Sequence, residues 1–415
     1  MCTYANSRVQ TYELIESVPN FSVGRDAAVV AAITGAARGA SSPARGEVAR
    51  TAGGAAHHLD TDADPDHNRM VLTVAGGARA LLDSVFSAVA VAVERIDLRN
   101  HVGVHPRVGA ADVVPFVPMA NTSLELCRTL ASQFGERVWE ELRVPVYYYG
   151  EGRRLVDIRA GRLKPDLGGP AHHPTAGAVC IGARMPLVAF NILLLDVGLA
   201  AARALARELR ESAGGLRGVQ TLVFVLPGDR IQLSTNLFRL EEASPQVVID
   251  ELVRRGVRIS AQQVVGLCPA VVANEAAAGR LLEARIAAAA ARAGAARCRM
   301  RGADRGVRRD LALPGTPPRG GTPPSQEMDA LARRLEREAE SFALLGSDQE
   351  ALLGGAERAL ALAAVLRAAQ VLDAELAEML WVAAKGFRRA VTAETVSRFG
   401  ARLEAFERQP KPDPS

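Results

Sequence analysis

Lysine is nearly missing from these 415 residues: of 50 lysines and arginines only Lys164, Lys385 and Lys411 are lysine. Positive charge is therefore almost all guanidinium. GC-rich coding and a nucleic-acid footprint would both give that bias; with a formal net charge of only +4, coding is the favoured reading and no nucleic-acid partner is expected. Cysteine is scarce as well. Cys2, Cys127, Cys180, Cys268 and Cys298 are scattered, with no C-x-x-C pair, which argues against a disulfide framework or a zinc ribbon. No apolar run approaches the roughly 20 residues a membrane helix needs, and the opening MCTYANSRVQTYELIE lacks the apolar core of a leader. The expectation is a cytoplasmic protein with no membrane partner.

Histidine is absent from residue 174 onward, so any imidazole chemistry belongs to the first half. His101 and His105 stand four apart, a spacing that on a helix could share a metal. Gly103 between them and Pro106 after them make a helix unfavourable, so no metal is expected there. DTDADPDHN (60–68) alternates aspartates like a calcium loop, but Pro65 and Val71 fall where glycine and glutamate are needed. G-x-x-x-x-G-K-[ST], a strand-to-helix G-x-G-x-x-G and G-x-S-x-G are all missing.

What the chain does contain is alternating α/β patterning. In the second part, PLVAFNILLL (186–195) reads as a buried strand and GLAAARALARELRESAGG (198–215) as a helix closed by glycines. VQTLVFVL and RIQLSTN are strands joined through Pro227-Gly228-Asp229. ASPQVVIDELVRRG is a helix with Ser244 as N-cap and Pro245 at its first position, and VRISAQQVVGL is a last strand. The order is β-α-β-β-α-β, the ferredoxin-like split unit. The first part repeats it: strand TYELIESV, helix DAAVVAAITGAA, strands AAHHLDT and MVLTVAG, helix RALLDSVFSAVAVAVERI, strand DVVPFVPM. Prolines in that last strand point to a sheet edge. An added helix (121–142) and strand (144–149) follow. The fold class is α/β (α+β): two ferredoxin-like split units side by side, residues 1–185 and 186–297, with a groove between them as a natural ligand site. Residues 275–296 read as a helix. Residues 298–325 read as an arginine-, proline- and glycine-rich linker; residues 326–415 read as an all-helical tail with a capping box at Ser347-Asp348-Gln349-Glu350.

Five polar loops stand at strand ends: 18–26, 59–69, 101–112, 165–177 and 182–191. Any one could be a turn. Together, VPNFSVGRD, HPRVGAADVVPFVP, PDLGGP, GARMPLVAFNI, STNL (234–237) and VVGLCP (264–269) resemble, in order over residues 11–275, the formiminotransferase domain of glutamate formimidoyltransferases, the transferase half of formiminotransferase-cyclodeaminase. That resemblance implies transfer of a formimino (or formyl) group between N5 of tetrahydrofolate and the amine of L-glutamate, as in histidine degradation, by a homodimer and without a metal. It implies His105 as the catalytic acid–base, since an imidazole can take and return a proton near neutrality. It implies folate contact by Gly168, Gly169, Pro170, Ala171, His172, His173, Pro174, Thr175, Ala176 and Gly177. Substrate-binding candidates are Asn20, Asp62, Asn68, Arg69, Arg107, Arg184 and Asn191, the arginines because a guanidinium grips carboxylates bidentately. Departures from the family pattern are Val23 and Val104 in place of carboxylates, Ser17 in place of cysteine, and a short 150–167 stretch. The tail lacks the cyclodeaminase's glycine-rich segment, so that activity is not implied. A catalytically decayed folate-binding or assembly protein of the same fold, or a ferredoxin-like amino-acid-sensing module, are the competing readings.

All the loops that carry the resemblance precede residue 275. A chain ending at Ser325 is therefore expected to keep folate affinity and transferase turnover. Loss of folate affinity in a folded truncation, read by calorimetry, would refute this.

Overall fold

The computed structural model describes residues 14–40, 55–119, 122–150, 152–286 and 288–289; the linker and tail readings, and the capping box at 347–350, lie outside them. Within these limits the chain builds two sheets. The first orders β3 (Ala56–Asp64), β4 (Arg69–Gly76), the paired short strands β1 (Ile15–Ser17) and β2 (Asn20–Phe21), β5 (Ala111–Pro118), β7 (Val179–Ala183) and β6 (Val146–Tyr149). Helices α1 (Ala27–Ala40), α2 (Ala78–Arg95) and α3 (Leu124–Leu142) alternate with these strands. Their core joins Ile33, Leu81, Val85 and Phe134 to Ile15, Leu72, Val114 and Ile181.

The second sheet has the order β11 (Arg258–Val265), β8 (Val188–Leu195), β10 (Arg230–Leu237), β9 (Val219–Leu226), antiparallel throughout. Helices α5 (Leu199–Leu209) and α6 (Pro245–Arg254) pack on it through Ala202, Ala206, Val248 and Leu252. Most of these elements fall within two or three residues of their sequence reading because each boundary has a local cause; α5 is the exception, ending at Leu209 before the glycines, with a separate 3-10 turn at Glu211–Ala213. Ser244 accepts from Val247 N with Pro245 behind it, and Gly228 and Asp229 take positive φ (76° and 56°) in the β9–β10 turn.

Three sequence expectations need correction. β5 is not an edge: it pairs with β1 and β2 on one side and, in parallel, with β7 on the other. Pro115 is tolerated because the facing strand breaks between Ser17 and Asn20, so no ladder N–H is missed there; its carbonyl instead accepts from Ser17 Oγ at 2.8 Å. β7, the parallel centre of the added layer, was not read as a strand at all, since AVCIGA is a short apolar run between loops. Residues 275–281 are not helical: a 3-10 turn, Glu275–Ala277, capped by Asn274, ends at Gly279 with φ +70°, and helix resumes only at Leu282.

The two sheets are joined by specific contacts. Leu14, Leu59 and Ala75 of the first share a core with Phe190, Leu233 and Val264 of the second. Asp62 Oδ2 accepts from Gly266 N (2.9 Å) and from Arg280 Nη1 (2.8 Å), and Arg230 pairs with Asp66.

Glu16 lies buried on β1, between Ala75 and Val117 of the neighbouring strands. Burial raises its pKa from 4.5 to about 7, against the pull of Arg184. The folded state thus holds this proton more tightly than the unfolded chain, so stability falls as pH rises from about 4.5 to 7 and stays lower above. Glu16→Gln is expected to remove that slope, a relative gain of about 3 kcal/mol at pH 8. Thermal unfolding at pH 5 and pH 8 measures it; an unchanged difference between the two would contradict the burial argument.

Candidate functional site

Asp112 enters β5 with its carboxylate fully buried. A buried charge demands partners, and this one has three. Oδ2 accepts from Arg69 Nη1 (2.7 Å) and Arg159 Nη2 (2.8 Å), and Oδ1 accepts from Val108 N (2.6 Å). The two guanidiniums hold the Asp112 pKa below the usual carboxylate value despite burial. Arg69, at the start of β4, also donates through Nε and Nη2 to Asn20 Oδ1 (3.1 and 2.9 Å). Arg159 closes the short helix α4 (Leu155–Arg159), and its Nε is buried without a hydrogen-bond partner.

His105 sits beside this cluster on the loop leading into β5. Its Nδ1–H donates to Pro106 O at 2.8 Å, which leaves Nε2 as the bare, proton-accepting nitrogen. Desolvation pushes the pKa from 6.5 to about 2, helped by Arg69 and Arg159 and opposed by Asp112. The half-buried ring is therefore neutral at physiological pH, well below the unperturbed value the sequence reading assumed. Arg107 fixes the loop, donating through Nη2 to Gly103 O (2.7 Å) and His105 O (2.9 Å). The second sheet supplies the ring's other wall: Phe224 of β9 lies 5.5 Å from the His105 centroid and 5.0 Å from that of His67. His67 is buried and donates through Nε2 to Gln232 Oε1 of β10 (2.6 Å).

His101 does not converge with His105. It donates through Nε2 to Asn68 O (3.2 Å). Among the described residues no group of three His, Cys, Asp or Glu is placed to hold a metal.

The other candidates scatter into two classes. Arg69 and Arg107 lie by His105, and Asn20 and Asn68 brace the loops next to them. Asn68, at φ +46°, accepts from Gly24 N and Arg25 N and donates to Val102 O. Asp62 is committed to Arg280 and Gly266 N. Arg184 follows β7 near Glu16, with Nη1 donating to Met185 O, and Asn191 is buried mid-strand in β8 opposite Ser234. Among the described residues neither hydrogen-bonds to the Asp112 cluster. Val23 is packed in the first core and Val104 is largely exposed.

The 168–177 loop divides. Gly168 and Gly169 take φ of 72° and 91°, with Trp139 and Pro165 where a Cβ would go. Pro170 and His172 line a cavity of about 380 Å³ with Arg107, Tyr147, Arg159 and Lys164; Tyr147 OH and His172 Nε2 share a 2.9 Å hydrogen bond. Ala171 and Pro174 are exposed. His173 to Gly177 instead form a closed turn tied to the start of β5: His173 and Gly177 exchange backbone hydrogen bonds, Thr175 O accepts from Leu98 N, and buried Ala176 accepts from Ala110 N.

Residues 14–184 match the family described as the formiminotransferase domain, N-terminal subdomain. Glutamate formimidoyltransferase from Streptococcus pyogenes serotype M1 is 32% identical over 281 residues, 62% of this chain and 90% of the relative. That from Thermoplasma acidophilum is 35% identical over 281 residues, covering 88% of its length. The chain belongs to the glutamate formimidoyltransferase family. Formimidoyltransferase-cyclodeaminase from Rattus norvegicus is 37% identical over 286 residues, but those cover 50% of it, so the similarity stops within one part of that longer protein.

Within the family frame, the residues sequence reasoning missed are Asp112, Arg159, Lys164, His67, Phe224 and Gln232. Asp112 had a signal: a lone carboxylate opening an apolar strand, ADVVPFVP. Phe224 and Gln232 had none, since they reach His105 and His67 across more than a hundred residues.

Arg159→Gln is expected to raise the His105 pKa, because one of the cations opposing its protonation is gone. The ring C–H shifts of His105, followed by NMR from pH 3 to 8, should titrate at higher pH in the variant. Coincident curves would show that Arg159 does not act on this ring.

Proposed function

We propose that this protein transfers a formimino group between tetrahydrofolate and L-glutamate. The observation that carries the reading is His105: its Nδ1 is committed to a backbone carbonyl, its Nε2 is bare, and it is held neutral beside a fixed cluster of charge. In the direction toward glutamate, 5-formiminotetrahydrofolate supplies the one-carbon unit and its N5 is the departing nitrogen. The acceptor amine arrives protonated near neutrality and must lose a proton before it can attack; Nε2 of His105 takes that proton. The same nitrogen then returns a proton to the departing amine, so one ring serves both halves of the transfer. Arg69, Arg107 and Arg159 provide guanidinium charge around the ring for substrate carboxylates.

The residues fit a folate in one respect: Gly168 and Gly169 put side-chain-free backbone next to the cavity that Pro170 and His172 line. The remaining folate candidates, 173–177, support the loop from behind. The two β-α-β-β-α-β units, with strand orders β3-β4-β1/β2-β5 and β11-β8-β10-β9, are read as ferredoxin-like subdomains divided near residue 185, with His105 at their junction through Phe224. The linker, the helical tail, a homodimer and a cytoplasmic location rest on the sequence alone; among the described residues no helix is long and apolar enough to cross a membrane. A decayed relative is not favoured, because His105 and every partner of Asp112 are in place.

His105→Ala is expected to lower turnover by on the order of 10²–10⁴ with little change in folate affinity, whereas His101→Ala loses much less. The measurement is steady-state turnover in the reverse direction, with tetrahydrofolate and N-formimino-L-glutamate, where the same ring returns a proton to the departing glutamate amine, beside calorimetry with folate. Parental turnover in a folded His105→Ala protein would overturn the assignment.

A further inference from the structure

His67 takes no part in the proton transfer assigned to His105, yet it is held from two sides. Residues 65–68 join β3 to β4, and a histidine in such a turn is ordinarily exposed. Here it is 5% exposed. A buried imidazole N–H needs an acceptor, and Nε2 finds one in Gln232 Oε1 at 2.6 Å. Gln232 on β10 and Phe224 on β9 are directly opposed in the strand register, so both side chains leave the same face of the second sheet. His67 meets both, lying edge-on to Phe224 with the ring planes 89° apart. Phe224 in turn lies over the His105 ring at a tilt of 34°, with centroids 5.5 Å apart. The same turn grips the His105 loop. Asn68 Nδ2 donates to Val102 O (3.0 Å), and Asn68 O accepts from His101 Nε2 (3.2 Å). A Cβ on Gly103 would stand 2.5 Å from His67 O, so glycine is what lets the loop come this close. Asp66 accepts from Arg230 of β10. The turn therefore ties the second sheet to the loop that carries His105.

We propose that His67 is a positioning residue for His105. The inference deepens the transferase reading and rests on it. The hydrogen bond from His67 to Gln232 sets the place of Phe224, and Phe224 bars the His105 ring from turning about its Cβ–Cγ bond. Such a turn would take Nδ1 off Pro106 O and present the wrong nitrogen to the substrate. One ring orientation keeps Nε2 as the bare nitrogen, which the geometry of a general base requires. His67 moves no proton itself, because its own Nε2–H is committed to Gln232.

The test uses the full chain with His67→Leu, which removes the donor, and His67→Gln, whose amide supplies another. Turnover is measured with tetrahydrofolate and N-formimino-L-glutamate. His67→Leu should lower kcat about tenfold, the size of one lost hydrogen bond, and His67→Gln should recover most of it. Both KM values should move by less than about twofold, as for an interaction felt in the transition state. In a His105→Ala background His67→Leu should cost nothing further, since no ring is left to hold. An equal loss with and without His105 overturns the proposal. Gln232→Met breaks the same bond from its other end, with the same expected loss, and replaces His67→Leu where that variant does not fold. Nitrogen-15 spectra of the imidazoles read the ring without turnover. His105 should be a single Nδ1–H tautomer in the parental protein and in His67→Gln, and a mixture in His67→Leu or Gln232→Met. A single tautomer in every variant, or a mixture already in the parental protein, also overturns it. If the tautomers behave as expected but no protein turns over, the positioning role stands and the transferase reading falls.

Discussion

The buried carboxylate of Asp112 is the constraint on which the candidate site depends. A carboxylate with no exposure at the first turn of a central strand would be strongly destabilising if left alone. Its three partners come from separate parts of the chain: Arg69 from β4, Arg159 from α4, and the Val108 amide from the His105 loop. One charge therefore fixes the relative positions of three segments that no contiguous hydrophobic stripe brings together. Because Arg69 also holds Asn20, the same charge extends its hold to β2. The loop geometry that gives His105 a defined tautomer is in this sense a by-product of satisfying Asp112.

The second sheet completes the site by closing it. Phe224 lies against both His67 and His105, and Gln232 Oε1 accepts a hydrogen bond from His67 Nε2. Desolvation is the largest influence on the His105 pKa, and Phe224 of β9 is one of the groups packed against the ring. The Asp62–Arg280 pair and the Gly266 amide lock the sheets at another point. The site belongs to neither unit by itself, which is why a bridging carboxylate such as Asp62 has a structural task where a substrate contact had been expected.

What was legible in the sequence follows from how local the signal is. β8 to β11 and α5 to α6 were readable because strand alternation, the Ser244-Pro245 start and the Gly228-Asp229 turn each act within a few residues. The catalytic candidate His105 was readable only through resemblance, since nothing in H-V-G-V-H-P distinguishes the second histidine from the first by periodicity. Pro115 misled because its cost depends on what the opposite strand does, and the break at Val18-Pro19 is visible only once β1 and β2 flank β5. β7 was hidden for the same reason: a parallel strand between loops owes its identity to its neighbours, not to its own alternation. Arg159 and Phe224 acquire meaning solely from tertiary contact.

The electrostatics of His105 tie proton affinity to occupancy. With Arg69 and Arg159 facing it across a desolvated gap, the ring rejects a proton, and its pKa near 2 makes it a feeble base. A ring in that condition would contribute little general-base catalysis, whose optimum lies near the working pH. Carboxylates entering among those guanidiniums change the sign of the local field. They offset the two cations named as opposing protonation, so the imidazolium becomes less unfavourable and the pKa climbs toward the range where proton transfer is effective. Closure around the substrate adds desolvation and works the other way, so the net rise depends on how many negative groups arrive. A dicarboxylate achieves more than a monocarboxylate on this account. On the reading proposed above, carboxylates held by those guanidiniums would raise the proton affinity of His105 by offsetting Arg69 and Arg159, while desolvation, the larger influence, stays in place.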